Sequence, residues 1–171
     1  QAVSWAKVER CFKLGGKQCY QYKNSPECVT LFQSDVAPVL ISYSAVALIS
    51  GPDGEREMPI SELYLNAGKK NICHDEILLG VKIPSAESKW HSAYCRKTIR
   101  GSFDFPLLSC AVLIIEKGGL IDDAKVVMGA VGVKPRDVIE AKQVFSGKKI
   151  SELQEAAKEL AWKKIKEVKD A

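Results

Sequence analysis

Apolar and polar residues alternate with a period of two along much of the middle of this chain. Residues 45–50, AVALIS, form an apolar run, Gly51-Pro52-Asp53-Gly54 supplies turn residues, and residues 55–60, EREMPI, run back. This predicts a hairpin over 45–60. Residues 76–84, EILLGVKIP, predict a strand with Ile77, Leu79, Val81 and Ile83 on one face and Leu78, Gly80 and Lys82 on the other. The polar stretch 84–89 reads as a linker and a domain boundary. Beyond it, residues 90–100 read as a strand. Residues 107–116, LLSCAVLIIE, are an apolar strand, Gly118-Gly119 is a turn, and 120–131 returns as the second arm of an antiparallel hairpin.

Helical signals are fewer. Ser34 or Asp35 is placed to cap a helix through Val39, Leu40, Ile41 and Ala45, with Pro38 tolerable in its first turn. Residues 61–68 predict one helical turn and 68–71 a loop. Lys134-Pro135-Arg136-Asp137 opens a short helix through Phe145, stopped at Gly147. Ser151 and Gln154 have capping-box spacing. They precede an amphipathic helix that buries Leu153, Ala156, Ala157, Leu160, Ile165 and Val168. Residues 1–10, with Val3, Trp5 and Val8, read as another short helix, in which Trp5 packs or shields the loop after it. Strands and helices in separate runs predict an α+β fold.

Composition narrows the class. The 171 residues are 46% hydrophobic and 27% charged, as in ordinary globular proteins. A net charge of +4, spread through Lys/Glu mixtures, does not single out nucleic acid. No apolar run is long enough to span a bilayer. Six cysteines in a chain this size fit a reduced, cytoplasmic setting better than a disulfide framework.

Three of those cysteines give the chemistry. Cys11, Cys19 and Cys28 stand at C-x7-C-x8-C in a stretch containing Gly15, Gly16 and Pro26, and Asp35 follows. Thiolates at irregular spacing suggest a metal or cluster, yet structural zinc and a cubane cluster each take four ligands. Neither His74 nor His91 is near in sequence. The alternative is free thiols, buried or incidental.

Together these landmarks resemble the FAD-binding medium subunit of the xanthine dehydrogenase (molybdenum hydroxylase) family. They are the cysteine loop, the Ser34-Asp35-Val36-Ala37-Pro38 helix start, the EILLGVKIP strand, and Ser92, Tyr94, Arg96, Arg100 and Asp104. Within the family, the likeness is greatest to the 4-hydroxybenzoyl-CoA reductase branch, which carries an extra cysteine loop. The resemblance implies the second half of a PCMH-type FAD-binding domain over residues 1–85, with an iron–sulfur loop over 1–33. A three-stranded antiparallel sheet with a helical layer would follow over 88–171. It implies FAD contacts from Ser34, Asp35, Ile77 and Leu78, and from either Arg96 or Lys97. On periodicity alone Leu78 is equally a core residue, and Asp35 equally a plain cap. It also implies a [4Fe-4S] cluster on Cys11, Cys19 and Cys28, with Cys73, Cys95 and Cys110 elsewhere.

By the same resemblance, molybdopterin and [2Fe-2S] clusters would sit on large and small partner subunits, and substrate chemistry on the large one, so no catalytic residue is expected here. Neither nucleic acid nor membrane is expected as a partner. The family's Gly-Gly-Thr phosphate loop is absent, and Gly15-Gly16 belongs to the cysteine loop. The chain, opening with Gln1, is therefore expected to be a fragment. It would need an N-terminal FAD-binding half and a fourth cysteine from upstream, and its C-terminal end also reads as cut. The alternatives are a medium subunit of a purine, aldehyde or CO dehydrogenase, or a metal-stabilised binding module without flavin.

Overall fold

A computed structural model describes residues 10–20, 22–85, 89–101 and 103–169, with 162–169 as backbone only. All but the last residue of the helix expected over 1–10, Trp5 among them, lie outside the described residues. The first described segment, around Cys11, Cys19 and Cys28, has little regular structure beyond a 3-10 turn at Phe12–Leu14. Helix α1 follows at Val36–Ser42. Strand β1 (Val46–Gly51) then pairs antiparallel with β2 (Gly54–Pro59) across the Pro52-Asp53 turn. Ala47 and Ile49 alternate inward and are fully buried, packing with Ile41, Met58, Ile60 and Leu63. Each such side chain contributes about 1.5–3 kcal/mol where it is a large aliphatic.

Strand β3 (Tyr64–Asn66) and β4 (Lys69–Lys70) form a small hairpin where a helical turn and a loop were expected. The helical turn falls earlier, as a 3-10 turn at Ile60–Glu62. Local chemistry closes the hairpin. The Asn66 side chain accepts the Ala67 N–H at 2.8 Å, and Gly68 takes the positive φ of 69°. Strand β5 (Ile77–Lys82) pairs with the other side of β1, so the sheet runs β2-β1-β5.

The second sheet is antiparallel throughout. Strand β6 (Lys89–Lys97) pairs with β7 (Leu108–Lys117), which pairs with β8 (Leu120–Gly129) across Gly118-Gly119. These are the three long strands expected. A two-residue strand, β9 (Arg136–Asp137), adds a fourth position along β8. The helix expected from Lys134 therefore starts later, as α2 at Glu140–Phe145, because Arg136 and Asp137 join the ladder opposite Met128 and Val127. Helix α3 spans Leu153–Lys169 after a 3-10 turn at Ile150–Glu152. Ser151 does not cap it. Glu152 instead accepts the Lys149 N–H at 3.1 Å.

Each face of the second sheet has its own cover. Helices α2 and α3 lie on one face of the second sheet, where Ile114, Ile121, Ala124, Ala141, Phe145 and Ala156 are buried. Leu153 and Leu160 border this core, whereas Ala157 is exposed, so the buried stripe of α3 is narrower than periodicity suggested. The side chains of Ile165 and Val168 lie outside the described residues. Helix α1 contacts β7 and β8, and Val127 belongs to the first core. Gly129 permits this approach: a Cβ there would fall 2.2 Å from Ser109 Oγ and 2.9 Å from Pro38 Cγ. Among the described residues no helix is long and apolar enough to cross a membrane.

Candidate functional site

Ser34 and Asp35 divide two tasks at the head of α1. Ser34 Oγ accepts the Ala37 N–H at 3.0 Å and satisfies a free donor of the first turn. Asp35 makes no capping bond. Its Oδ1 accepts the Tyr94 hydroxyl at 2.6 Å, and its Oδ2 accepts Arg96 Nη1 at 2.8 Å.

Strand alternation makes that pair possible. Tyr94 and Arg96 are two apart on β6 and share a face, while Cys95 and Lys97 fall on the other. Arg96, not Lys97, therefore meets Asp35. Burial, and after it the bond to Asp35, raises the Tyr94 hydroxyl above the ordinary tyrosine value. At the other end of the helix, Tyr43 donates to Ser92 Oγ at 2.7 Å and packs against Trp90 with ring centroids 5.6 Å apart. Helix α1 is thus stitched to β6 at both ends. Tyr94 is the partner that sequence reasoning had not assigned to the site, although it stood in the matching frame.

Arg100 and Asp104 do not join this group. Arg100 bonds Asp104 through its side chain and its backbone N–H, each at 3.1 Å, and Phe105 N–H adds a third bond. Those bonds, with the Arg100 guanidinium first, hold the Asp104 carboxyl below its usual range. The pair closes the turn after β6.

Ile77 and Leu78 lie on β5, and their facing differs from simple alternation. Leu48 pairs with Gly80 and Ile49 with Leu78, so three residues of β5 oppose two of β1. This is a β-bulge. Paired residues share a face, which puts Leu78 and Val81 on the side of Ile49 and Ala47, and Ile77 and Gly80 on the other. Ile77 is 64% and Leu78 42% exposed, so Leu78 is not a core residue here. A single acid–base pair fixes the start of the strand. Arg56 forks onto Glu76 at 2.6 and 2.9 Å, and the Cys73 N–H bonds the same carboxylate at 2.7 Å.

The three loop cysteines come together. Cys11, Cys19 and Cys28 line one cavity of about 190 Å³ with Lys13, Gln18 and Thr30. Backbone bonds from Phe12 to Gln18 and from Gly16 to Cys11 fold the loop back on itself. Gly16 has no substitute at this point, because a Cβ would lie 1.5 Å from the Arg10 carbonyl oxygen. Two of the sulfurs already have polar partners. The Tyr22 N–H points at Cys19 Sγ at 3.3 Å, and Cys28 Sγ lies 3.2 Å from Thr30 Oγ1. Thr30, through side chain and then backbone, lowers the Cys28 thiol below its ordinary value, with Lys13 adding to the effect.

Cys73, Cys95 and Cys110 do not line this cavity, and all six cysteines are free thiols. Among the described residues no three His, Cys, Asp or Glu side chains gather as closely as one metal ion requires.

Comparison with known proteins places these residues in context. Residues 15–86 match the family described as the FAD binding domain in molybdopterin dehydrogenase. The chain is 25% identical over 119 residues to the glyceraldehyde dehydrogenase medium chain of Sulfolobus acidocaldarius, covering 70% of this chain and 42% of that one. It is 26% identical over 134 residues to the nicotine 6-hydroxylase medium subunit of Paenarthrobacter nicotinovorans, covering 77% and 46%. A xanthine dehydrogenase FAD-binding subunit of Escherichia coli O157:H7 is 27% identical over 152 residues, covering 82% and 52%. The chain thus spans about half the length of the curated relatives it matches. Its fold is shared with quinoline 2-oxidoreductase from Pseudomonas putida 86 at a TM-score of 0.64 and 24% identity, over 75% of this chain and 44% of that one. Carbon monoxide dehydrogenase from Hydrogenophaga pseudoflava shares it at 0.65 and 20% identity, over 73% and 44%.

Proposed function

We propose that this chain, whose residues 15–86 match the FAD binding domain in molybdopterin dehydrogenase, belongs to that family and is part of the electron-transferring medium subunit of a molybdenum hydroxylase or reductase complex. The observation that carries the flavin reading is the state of Asp35. Ser34 does the capping, so the Asp35 carboxylate is held by Tyr94 and Arg96 at an open helix start, as an oriented acceptor for a ligand hydroxyl. Leu78, exposed on the opposite face of β5 from Ile77, offers an apolar surface against which a flat ring would lie. Arg96 supplies the positive charge beside Asp35. A flavin held there would supply two-electron and one-electron transfer chemistry. Asp35, Arg96 and Leu78 would hold and orient it. Large molybdopterin and small [2Fe-2S] subunits would be the electron partners, and an N-terminal FAD-binding half would supply the pyrophosphate cradle.

The finer reading is a 4-hydroxybenzoyl-CoA reductase-like subunit, acting in reductive dehydroxylation of an aromatic acyl-CoA. The shared cavity of Cys11, Cys19 and Cys28 supports it. These thiols would hold three corners of a [4Fe-4S] cluster, with a fourth cysteine from upstream. Lys13 would offset part of the cluster's negative charge, and the Tyr22 N–H and Thr30 hydroxyl would bond the ligating sulfurs.

Cofactor analysis of the complete subunit tests both layers. FAD with iron and acid-labile sulfide, lost as iron and sulfide only in Cys19→Ser, is the expected result. FAD without iron would leave a medium subunit of the purine, aldehyde or CO dehydrogenase kind. Iron or zinc without flavin would leave a metal-stabilised binding module.

A further inference from the structure

Two of the cysteines outside the loop face each other. Cys95 on β6 is the direct cross-strand partner of Cys110 on β7. Directly opposed residues of an antiparallel pair lie about 4.5–5.5 Å apart at Cα, and a disulfide spans about 4.4–6.8 Å, so either kind of opposed position can be bridged. Both side chains leave the sheet on the face away from α1, between the positions of Tyr94 and Arg96. Cys95 is exposed, and Cys110 is partly covered. Burial, and after it the neighbouring Cys95, raises the Cys110 thiol above its ordinary value. Among the described residues β6 is an edge strand, paired only with β7.

We propose that Cys95 and Cys110 are an oxidant-responsive dithiol that closes to a cross-strand disulfide under hydroperoxide. The exposed member reacts first. The Cys95 thiolate attacks one oxygen of hydrogen peroxide, the O–O bond breaks, and hydroxide leaves, giving a sulfenic acid at Cys95. The Cys110 sulfur then attacks the Cys95 sulfur. The S–O bond breaks, and the hydroxyl leaves as water with the Cys110 proton. The two thiols are oxidised, the peroxide is reduced to two waters, and the thiolate's original proton balances the hydroxide. The new bond fastens the edge strand that carries Tyr94 and Arg96 to its neighbour. The dithiol depends on neither the flavin nor the loop cluster.

Peptide mapping of the full chain after hydrogen peroxide treatment tests this. Blocking remaining thiols and digesting with trypsin should give residues 90–96, WHSAYCR, joined to residues 101–117, GSFDFPLLSCAVLIIEK. The joined peptide should account for most of the oxidised Cys95 and disappear with dithiothreitol. In Cys110→Ser, dimedone should label Cys95, because the sulfenic acid then has no resolving thiol. Cys95 carried on to sulfinic acid while Cys110 stays reduced would overturn the proposal, as would Cys95 joined chiefly to Cys11, Cys19, Cys28 or Cys73. The mapping uses the unmodified sequence, so it decides the matter even where Cys110→Ser does not fold.

Discussion

Asp35 and Arg96 stand 61 positions apart in the chain and 2.8 Å apart in space. Their contact joins the head of α1 to an edge strand of the second sheet, so the two parts of the molecule meet at the residue proposed to touch the flavin. Neighbouring Ser34 takes the capping duty, and the two residues should therefore fail in different ways.

Ser34→Ala should lower stability by about 1 kcal/mol, the usual cost of losing a helix cap, with flavin retention little changed. Asp35→Ala should do the reverse. The Asp35–Arg96 pair is partly exposed, at 45% and 33% for the two side chains, so its loss costs stability less than about 1 kcal/mol. Loss of one ligand hydrogen bond costs roughly 1–3 kcal/mol, up to about a hundredfold in FAD affinity. Arg96→Ala should also weaken FAD, whereas Lys97→Ala should not. Urea denaturation and flavin content of the complete subunit separate the two effects, and equal losses on both readouts for Ser34 and Asp35 would contradict the division.

Gly129→Ala should destabilise the contact between α1 and the second sheet by about 1–3 kcal/mol, the usual cost of overpacking. The added methyl would overlap Ser109 Oγ and crowd the Pro38 ring. Gly80→Ala meets nothing within 4 Å and should be tolerated far better. Thermal melts of the two variants provide the comparison.

Glu76 gives a pH signature. The Arg56 guanidinium, and next the Cys73 N–H, hold its carboxyl at about 2, below the ordinary 4.5. A carboxyl depressed by folding contributes stability that is complete above its unfolded value and is lost as pH falls towards the folded one. Urea midpoints should therefore fall between about pH 5 and about pH 2 by more in the parent protein than in Glu76→Gln. Parallel pH curves for the two would remove Glu76 as a contributor.

Thiol reactivity should run against exposure. Cys73 is exposed, but the Glu76 carboxylate raises its thiol above the ordinary value. Cys28 is less exposed, and Thr30 lowers it. With the loop free of metal, iodoacetamide near neutral pH should label Cys28 ahead of Cys73, and Thr30→Val should slow Cys28 selectively. Faster labelling of Cys73 would show that access outweighs thiolate fraction here.

Most strands were legible because long runs such as AVALIS and LLSCAVLIIE bury alternate residues, and burial leaves its period in the sequence. The β3–β4 hairpin and β9 were not. They are two or three residues long, contain Lys, Asn, Arg and Asp, and exist because neighbouring backbone offers them partners. Arg136 and Asp137 accordingly read as a helix start until β8 took them up. The site was partly legible. Ser34 and Asp35 both qualify as caps, and only the approach of Tyr94 and Arg96 separates their duties. Alternation required that one of Arg96 and Lys97 face inward, but which one depends on where α1 lies. Spacing could not show that Cys11, Cys19 and Cys28 surround one cavity, because the loop between them has no period.

The extra residue in β5 has a consequence for how the chain length can vary. A regular strand that loses one residue turns half of its side chains over. Here the segment Leu78–Gly80 holds one residue of slack against Leu48 and Ile49. A deletion within it would be absorbed by straightening the strand, leaving Ile77 opposite Ser50 and Val81 opposite Ala47 as they are now. An insertion has no such reserve and would rotate one end of the strand out of phase. Tolerance to length change at this edge is therefore one-sided: the strand can be shortened by a residue far more readily than it can be lengthened.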